Sequence, residues 1–227
     1  MNKELLKDVI EWDTVNWSHG LKYWEEKCPI KDKDYTCLEL GGRRGGLSLW
    51  FALNNNKVVC SDYNSPIEQA KPIHEKYNCT DRVTYASIDG TEIGRENEFD
   101  VIAFKSILGG INSDKFKNVP QQVIDEIYAS LKPGGTLLFA ENLASSFLHR
   151  IMRKYFVKWG SRWNYLKYNN IEALFTKFSS LEYTTIGFFG AFGRSEAQRI
   201  FLGKIDTFLK PIIPKSIRYI VVGVARK

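Results

Sequence analysis

Apolar positions along the chain change their period several times, and each change marks an element. Over residues 3–27, Leu5, Leu6, Val9, Ile10 and Trp12 recur at helical spacing. Ser18-His19-Gly20 is the expected break before a second short piece around Leu21 to Trp24. From Tyr35 the rhythm shortens. Tyr35–Leu40 reads as a strand running into glycines, Leu47–Leu53 as a helix and Lys57–Ser61 as a strand. Pro66–Tyr77 is a helix with proline in its first turn, and Arg82–Ile88 is a third strand. Phe99–Phe104 is continuously apolar, as a strand buried on both faces should be. Ser113 or Asp114 is placed to cap a helix reaching Leu131, stopped by Lys132-Pro133-Gly134-Gly135 ahead of a fifth strand, Thr136–Ala140. A helix near Ile171–Phe178, a strand near Tyr183–Phe189, a helix near Glu196–Leu209 and a strand Arg218–Ala225 complete the chain.

Strands alternating with helices predict parallel strands joined by crossover helices. The expected fold is an α/β three-layer sandwich with a mostly parallel seven-stranded sheet, its last strand antiparallel. Without repeats or Pro/Gly/Ser linkers, residues 1–227 read as one domain. Residues 1–30 form a helical N-terminal cap, and 142–179 a helical, basic and aromatic insertion after the fifth strand.

Composition narrows the class. Of 227 residues, 44% are hydrophobic and 26% charged, which excludes a disordered chain. No apolar run is long enough for a membrane span, and the acidic N-terminus is unlike a signal peptide. A cytoplasmic protein is therefore expected. Cys28, Cys37, Cys60 and Cys79 show no metal-ligand spacing, so reduced thiols and no metal are expected. The net charge of +6 is local: Leu143 to Ile171 holds Arg150, Arg153, Lys154, Lys158, Arg162 and Lys167 and no acid.

Chemistry concentrates in Cys37-Leu38-Glu39-Leu40-Gly41-Gly42-Arg43-Arg44-Gly45-Gly46, a strand entering a glycine turn and then a helix. Such a turn lets backbone approach a ligand, and the helix start offers free N–H groups. Glu39 ends the first strand, Asp62 the second and Asp89 the third. Three carboxylates at successive strand ends converge on one crevice and suit the hydroxyls of a nucleoside.

These residues resemble the class I S-adenosylmethionine-dependent methyltransferases from about Tyr35 to Leu143, and less specifically in the terminal strands. The resemblance implies S-adenosylmethionine as cofactor, with Glu39, Gly41, Gly42 and Gly45 in its turn. It also implies Asp62 on the ribose and Asp89 on the adenine amino group; Lys105, at the end of the fourth strand, is counted with the cofactor-binding residues facing the methyl group. Leu131-Lys132-Pro133-Gly134-Gly135 is similar to a phrase of that family. Two features depart from the pattern: Arg43 interrupts the glycine alternation, and the fourth strand ends Phe104-Lys105-Ser106, unlike the Asp/Asn-Pro-Pro-Tyr of amino-group methylators of nucleic acid. A nicotinamide dehydrogenase would share the sheet and the acid, but its GxGxxG spacing is poorly matched here.

Acid–base candidates at the ends of the fourth and fifth strands are Lys105, Glu141 and His149, with Ser106 and Asn142 beside them. Glu141 reads equally as an acid at a helix start, and Lys105 as a partner for a carboxylate. His149 has the side chain best suited to titrate near neutrality but lies in a helical stretch. His19 reads as part of a lid, and His74, among lysines, as a surface residue.

Phe147, Ile151, Tyr155, Trp159 and Trp163 follow at steps of four, with Arg150, Arg153, Lys154 and Lys158 opposite and a break near Gly160. One reading packs the aromatic face on the sheet. The others are peripheral contact of 147–163 with an anionic membrane, a phosphate-bearing acceptor such as a lipid-linked or nucleotide-linked sugar, or, less well supported, nucleic acid. The segment Glu141 to Trp163 and the ending Tyr219-Ile220-Val221-Val222-Gly223 resemble methyltransferases of bacterial surface-polysaccharide and lipid pathways. The expected activity is O-methylation of a carbohydrate or lipid-linked precursor. The alternatives are an RNA methyltransferase and a non-catalytic cofactor-binding partner protein.

Overall fold

A computed structural model describes residues 1–111, 115, 117–157 and 163–227. Seven strands form one sheet in the order β3-β2-β1-β4-β5-β7-β6. They are β1 Thr36–Leu40, β2 Lys57–Asp62, β3 Val83–Ser87, β4 Phe99–Lys105, β5 Leu131–Asn142, β6 Ser180–Ile186 and β7 Ile220–Arg226. β1 to β5 pair in parallel with their neighbours, and β7 runs antiparallel to both β5 and β6. The terminal strand thus inserts between two others and leaves β6 at the edge.

Among the described residues eight α-helices flank the sheet: α1 Lys3–Ile10, α2 Thr14–Lys27, α3 Gly46–Leu53, α4 Ile67–Lys76, α5 Val119–Ser130, α6 Phe147–Phe156, α7 Ile171–Leu174 and α8 Glu196–Leu209. Successive strand residues face opposite sides, so β4 sends Val101 and Ala103 into one core and Ile102 and Phe104 into the other. The first core takes Trp17, Leu21 and Trp24 of α2 and Leu49 and Phe51 of α3. The second takes Val123, Ile124 and Ile127 of α5 and Ile171 of α7. This double burial is why β4 is apolar throughout.

Several expectations need correction. The N-terminal helices break at Glu11–Asp13, where Glu11 and Asp13 adopt positive φ, rather than at Ser18-His19-Gly20. Gly20 stays inside α2, where a Cβ would stand 3.2 Å from Val222 on β7. The expected caps Ser113 and Asp114 lie outside the described residues, as do Trp159 and Gly160. α5 opens at Val119 with proline in its first turn. The Lys132–Gly135 phrase falls within β5, at a register shift opposite Phe99/Val101. His74 is fully buried, not a surface residue.

α6 departs furthest from the packed aromatic face. Its inward side is His149 and Arg153, 0% and 6% exposed, while Phe147, Ile151 and Tyr155 face outward. Arg153, placed by periodicity on the solvated side, is one of the most buried basic groups in the chain. All four cysteines are free thiols. No helix among the described residues is long and apolar enough to cross a membrane.

α1 meets the start of α3 without a gap: a Cβ on Gly46 would stand 2.2 Å from the Val9 carbonyl oxygen. Gly46→Ala is expected to push α1 off the sheet and cost about 1–3 kcal/mol, read as a lower midpoint in urea unfolding. An unchanged midpoint would mean that α1 is loosely held.

Candidate active site

The site begins with the local demands of the turn after β1. Gly41 has φ +68, and a Cβ there would lie 2.3 Å from Ile107 Cγ2, so only glycine fits without strain. Gly42 N–H donates to Ser61 O at 2.7 Å, bending the turn over the end of β2. Glu39 is 4% exposed and accepts from Leu47 N at 3.1 Å, Ser48 N at 2.8 Å and Ser48 Oγ at 2.5 Å. It caps α3 across the whole turn, satisfying donors that a helix start leaves open. Burial pushes its pKa up to about 7, against hydrogen bonds from Ser48 and Leu47 that favour the charged form.

Around this turn opens a cleft of about 900 Å³ at the C-terminal ends of β1 to β4. Glu39, Gly41, Gly42, Asp62, Asp89 and Lys105 all line it, so six of the residues singled out in the sequence stand in one place. Asp62 accepts from Arg43 N at 2.9 Å and Tyr63 N at 2.7 Å, and Asp89 from Thr91 N at 2.9 Å and Thr91 Oγ1 at 2.7 Å. The Arg43 guanidinium turns to Glu11 at 3.9 Å.

Lys105 ends β4 beneath the N-terminal cap. Its Nζ donates to Ile10 O and lies 3.7 Å from the centre of the Trp12 ring. Burial is the main cause that brings its pKa down to about 8, opposed by the charges of Glu11 and Glu39. Ser106 follows with positive φ and accepts a hydrogen bond from Asn142 Nδ2.

Gly45, Glu141 and His149 do not line this cleft. Gly45 precedes α3, and its carbonyl accepts from His74 Nε2 at 3.0 Å, while His74 Nδ1 faces Tyr85 Oη at 2.8 Å. Burial lowers the His74 pKa, against the hydrogen bond to the Gly45 carbonyl that favours the charged ring. Glu141 is 1% exposed and accepts from Ile107 N at 2.9 Å, Leu108 N at 2.7 Å and Asn142 N at 2.7 Å, with the Trp163 side chain as a further donor. It braces the loop after β4, and burial pushes its pKa up to about 7. His149 Nε2 donates to Phe188 O at 2.8 Å and Nδ1 accepts from Ser146 Oγ at 2.8 Å. Burial brings its pKa down to about 4, so the ring is a neutral prop between α6 and the Phe189–Phe192 turn. His19 sits against Thr207 Oγ1 at 3.1 Å, outside the cleft.

Trp12, Ser106, Trp163 and Arg199 also line the cleft. Trp163 packs into Gly109-Gly110, and Asn164 N–H bonds Gly109 O at 2.9 Å. No local pattern assigns Trp12, Trp163 or Arg199 to the first turn; only the paired glycines hint that something packs closely there.

A seven-stranded sheet with one antiparallel strand and a ligand-sized cleft over a glycine turn defines a Rossmann-like class of nucleoside-cofactor proteins. The family whose model describes a methyltransferase domain matches residues 16–193, and the chain belongs to that family. Its activity is accordingly S-adenosylmethionine-dependent methyl transfer. The chain is similar in structure to MccD protein, with 15% identity, TM-score 0.63 and 92% of this chain and 96% of that one covered. Phosphoethanolamine N-methyltransferase 2 of Haemonchus contortus, in complex with phosphomonomethylethanolamine and S-adenosylhomocysteine, is 18% identical with TM-score 0.63, covering 93% of this chain and 52% of that one. The [4+2]-cyclase SpnF is 15% identical with TM-score 0.61, covering 91% and 80%. At these identities the likeness shows the fold, and a fold serves more than one activity. No curated protein matches the sequence.

The residues present fit the cofactor. Gly41 and Gly42 line the cleft with backbone alone, packed too closely on Ile107 and on Cys60 and Glu39 to carry a side chain, and Asp62 and Asp89 bring acceptors to the cleft at two strand ends.

Glu141 provides a pH test. Its ordinary pKa is 4.5 and its folded value about 7, so between these the folded chain binds more protons than the unfolded one. Its contribution to stability is complete below the lower value and lost as pH rises through the upper. Wild-type stability relative to Glu141→Gln is expected to fall between about pH 5 and pH 8, by a few kcal/mol at most. Urea melts at both pH values check this, and a difference independent of pH would overturn the assignment.

Proposed function

We propose that the protein transfers the methyl group of S-adenosylmethionine to an oxygen on a carbohydrate or lipid-linked precursor. The observation that carries this reading is a second pocket, of about 850 Å³, that shares Trp12 and Arg199 with the first cleft. One cavity suits the donor and the other an acceptor, with β4's end between them.

Gly41 and Gly42 let the backbone lie against the methionine portion of the cofactor. Asp62 accepts from its ribose hydroxyls and Asp89 from its adenine amino group. When bound, the cofactor supplies an electrophilic methyl group on a sulfonium. The chain's task is then to align an acceptor oxygen and exclude water, which accounts for much of the rate in a displacement of this kind. Trp12 and Trp163 wall the cleft against solvent.

Lys105 is the proton acceptor in this reading. Its amine lies in the cleft against the indole of Trp12, with the charges of Glu11 and Glu39 acting on it and burial favouring the neutral form. A neutral amine there takes the proton from the acceptor hydroxyl as the new bond forms. Glu141 positions Ile107 and Leu108, His149 holds α6 in place, and neither lines either cavity.

Calorimetry with S-adenosylhomocysteine is expected to show binding that Asp62→Ala weakens about 10- to 100-fold, the worth of a charged hydrogen bond. Absence of binding to the wild type would remove the reading. Methyl transfer, followed with labelled cofactor and fractionated glycan and lipid extracts, is expected to rise with pH through about 8, the folded pKa of Lys105. Lys105→Met is expected to flatten that rise and lower turnover about 100-fold or more. An identical pH profile in the variant would exclude Lys105 as the base.

A further inference from the structure

The second pocket lies between α6, the Phe189–Phe192 turn and the start of α2, and three arginines line it: Arg153, Arg194 and Arg199. Arg153 is the unusual one. It is 6% exposed, and its Nη1 donates to Leu143 O at 2.6 Å and Ala144 O at 3.4 Å. Its guanidinium covers the Tyr165 ring at 3.9 Å. Among the described residues no carboxylate pairs with it, and its Nε and Nη2 donors meet no acceptor. A buried cation without a counter-charge is costly, and burial lowers its pKa from the ordinary arginine value.

The pocket's single carboxyl does not fill the need. Asp13 is taken by the hydroxyl of Tyr219 and the amide of Asn16. Arg199 is held near Gly193 O and Glu196, and Arg194 lies over the Phe156 ring. The free edge of Arg153 therefore offers a planar pair of donors, the geometry that phosphate oxygens match.

The rim of the same pocket is apolar. Leu148 and Phe156 are 59% and 65% exposed, and with Ile151 they line the opening, left largely uncovered among the described residues. No acid occurs between Leu143 and Ile171 to repel an anion. Cationic floor and apolar rim together describe the two ends of one kind of ligand.

We propose that this pocket binds an anionic amphiphile, with a phosphate group on Arg153 and an apolar chain along Leu148, Ile151 and Phe156. The methyl acceptor is of this class, an inference that rests on the methyl-transfer reading above. Trp12 and Arg199, common to both cavities, mark where such a ligand reaches the donor cleft.

The test is calorimetric titration of the full chain, with S-adenosylhomocysteine present, against dodecyl phosphate below its micelle concentration. Dodecyl maltoside and inorganic phosphate serve as parallel probes. Dodecyl phosphate is expected to bind about tenfold or more tightly than either. Arg153→Met and Leu148→Asp are each expected to lose about tenfold or more, the worth of a charged hydrogen bond and of a desolvated apolar contact. Leu148 is exposed, so its variant reports on the site even if Arg153→Met loosens the Leu143–Ala144 turn. Equal affinity for the maltoside, equal affinity for inorganic phosphate, or unchanged affinity in both variants would each overturn the proposal. S-adenosylhomocysteine binding without dodecyl phosphate binding sinks this inference alone; dodecyl phosphate binding without S-adenosylhomocysteine binding sinks the methyl-transfer reading instead.

Discussion

The glycine turn holds its shape because a buried carboxylate grips the helix that follows it. Glu39 collects two backbone N–H groups and a hydroxyl from Leu47 and Ser48, and in doing so ties the end of β1 to the start of α3. Gly41 and Gly42 are then free to pass without side chains between Ile107 on one side and Cys60 on the other. Without that tie the helix start would need other acceptors for its open donors. The cleft exists because the carboxylate spans the turn from behind.

The same device recurs twice. Glu141 at the end of β5 accepts from Ile107 and Leu108, and Asp206 in α8 accepts from the N–H groups of Phe188, Phe189 and Gly190. Each acid sits on a regular element and fixes an irregular neighbour, and each turn so fixed borders one of the two cavities. Mobile loops would make a poor wall for a reaction that depends on alignment; loops pinned by buried charge make a firm one. Burial raises the proton affinity of Glu39 and Glu141, so the arrangement is a compromise between satisfied backbone donors and a desolvated charge.

The N-terminal cap closes the site from above. α1 lies against Gly46, Trp12 covers Lys105, and Glu11 faces Arg43, so the first twelve residues shape both the donor cleft and its link to the second cavity. On the other side, α6 turns His149 and Arg153 inward and its aromatics outward, the reverse of an ordinary surface helix. His149 finds its partner in the Phe188 carbonyl, while Arg153 is held on one side only, by the Leu143 and Ala144 carbonyls.

By itself the sequence determined the alternating architecture, the glycine turn and the acids at strand ends. Those are properties of short windows, where the period of apolar residues and the conformational needs of glycine speak directly. Asp62 and Asp89 reached the cleft because a parallel sheet brings every strand's C-terminal end to one edge. Only the tertiary structure decided that β7 enters between β5 and β6, that His74 and His149 are buried props, that Glu141 braces a loop, and which way α6 faces. In each of those cases the deciding partner stands far along the chain: Gly45 for His74, Phe188 for His149, Ile107 for Glu141. A side chain's role there follows from which distant backbone groups need an acceptor or donor, and local periodicity carries no record of that need.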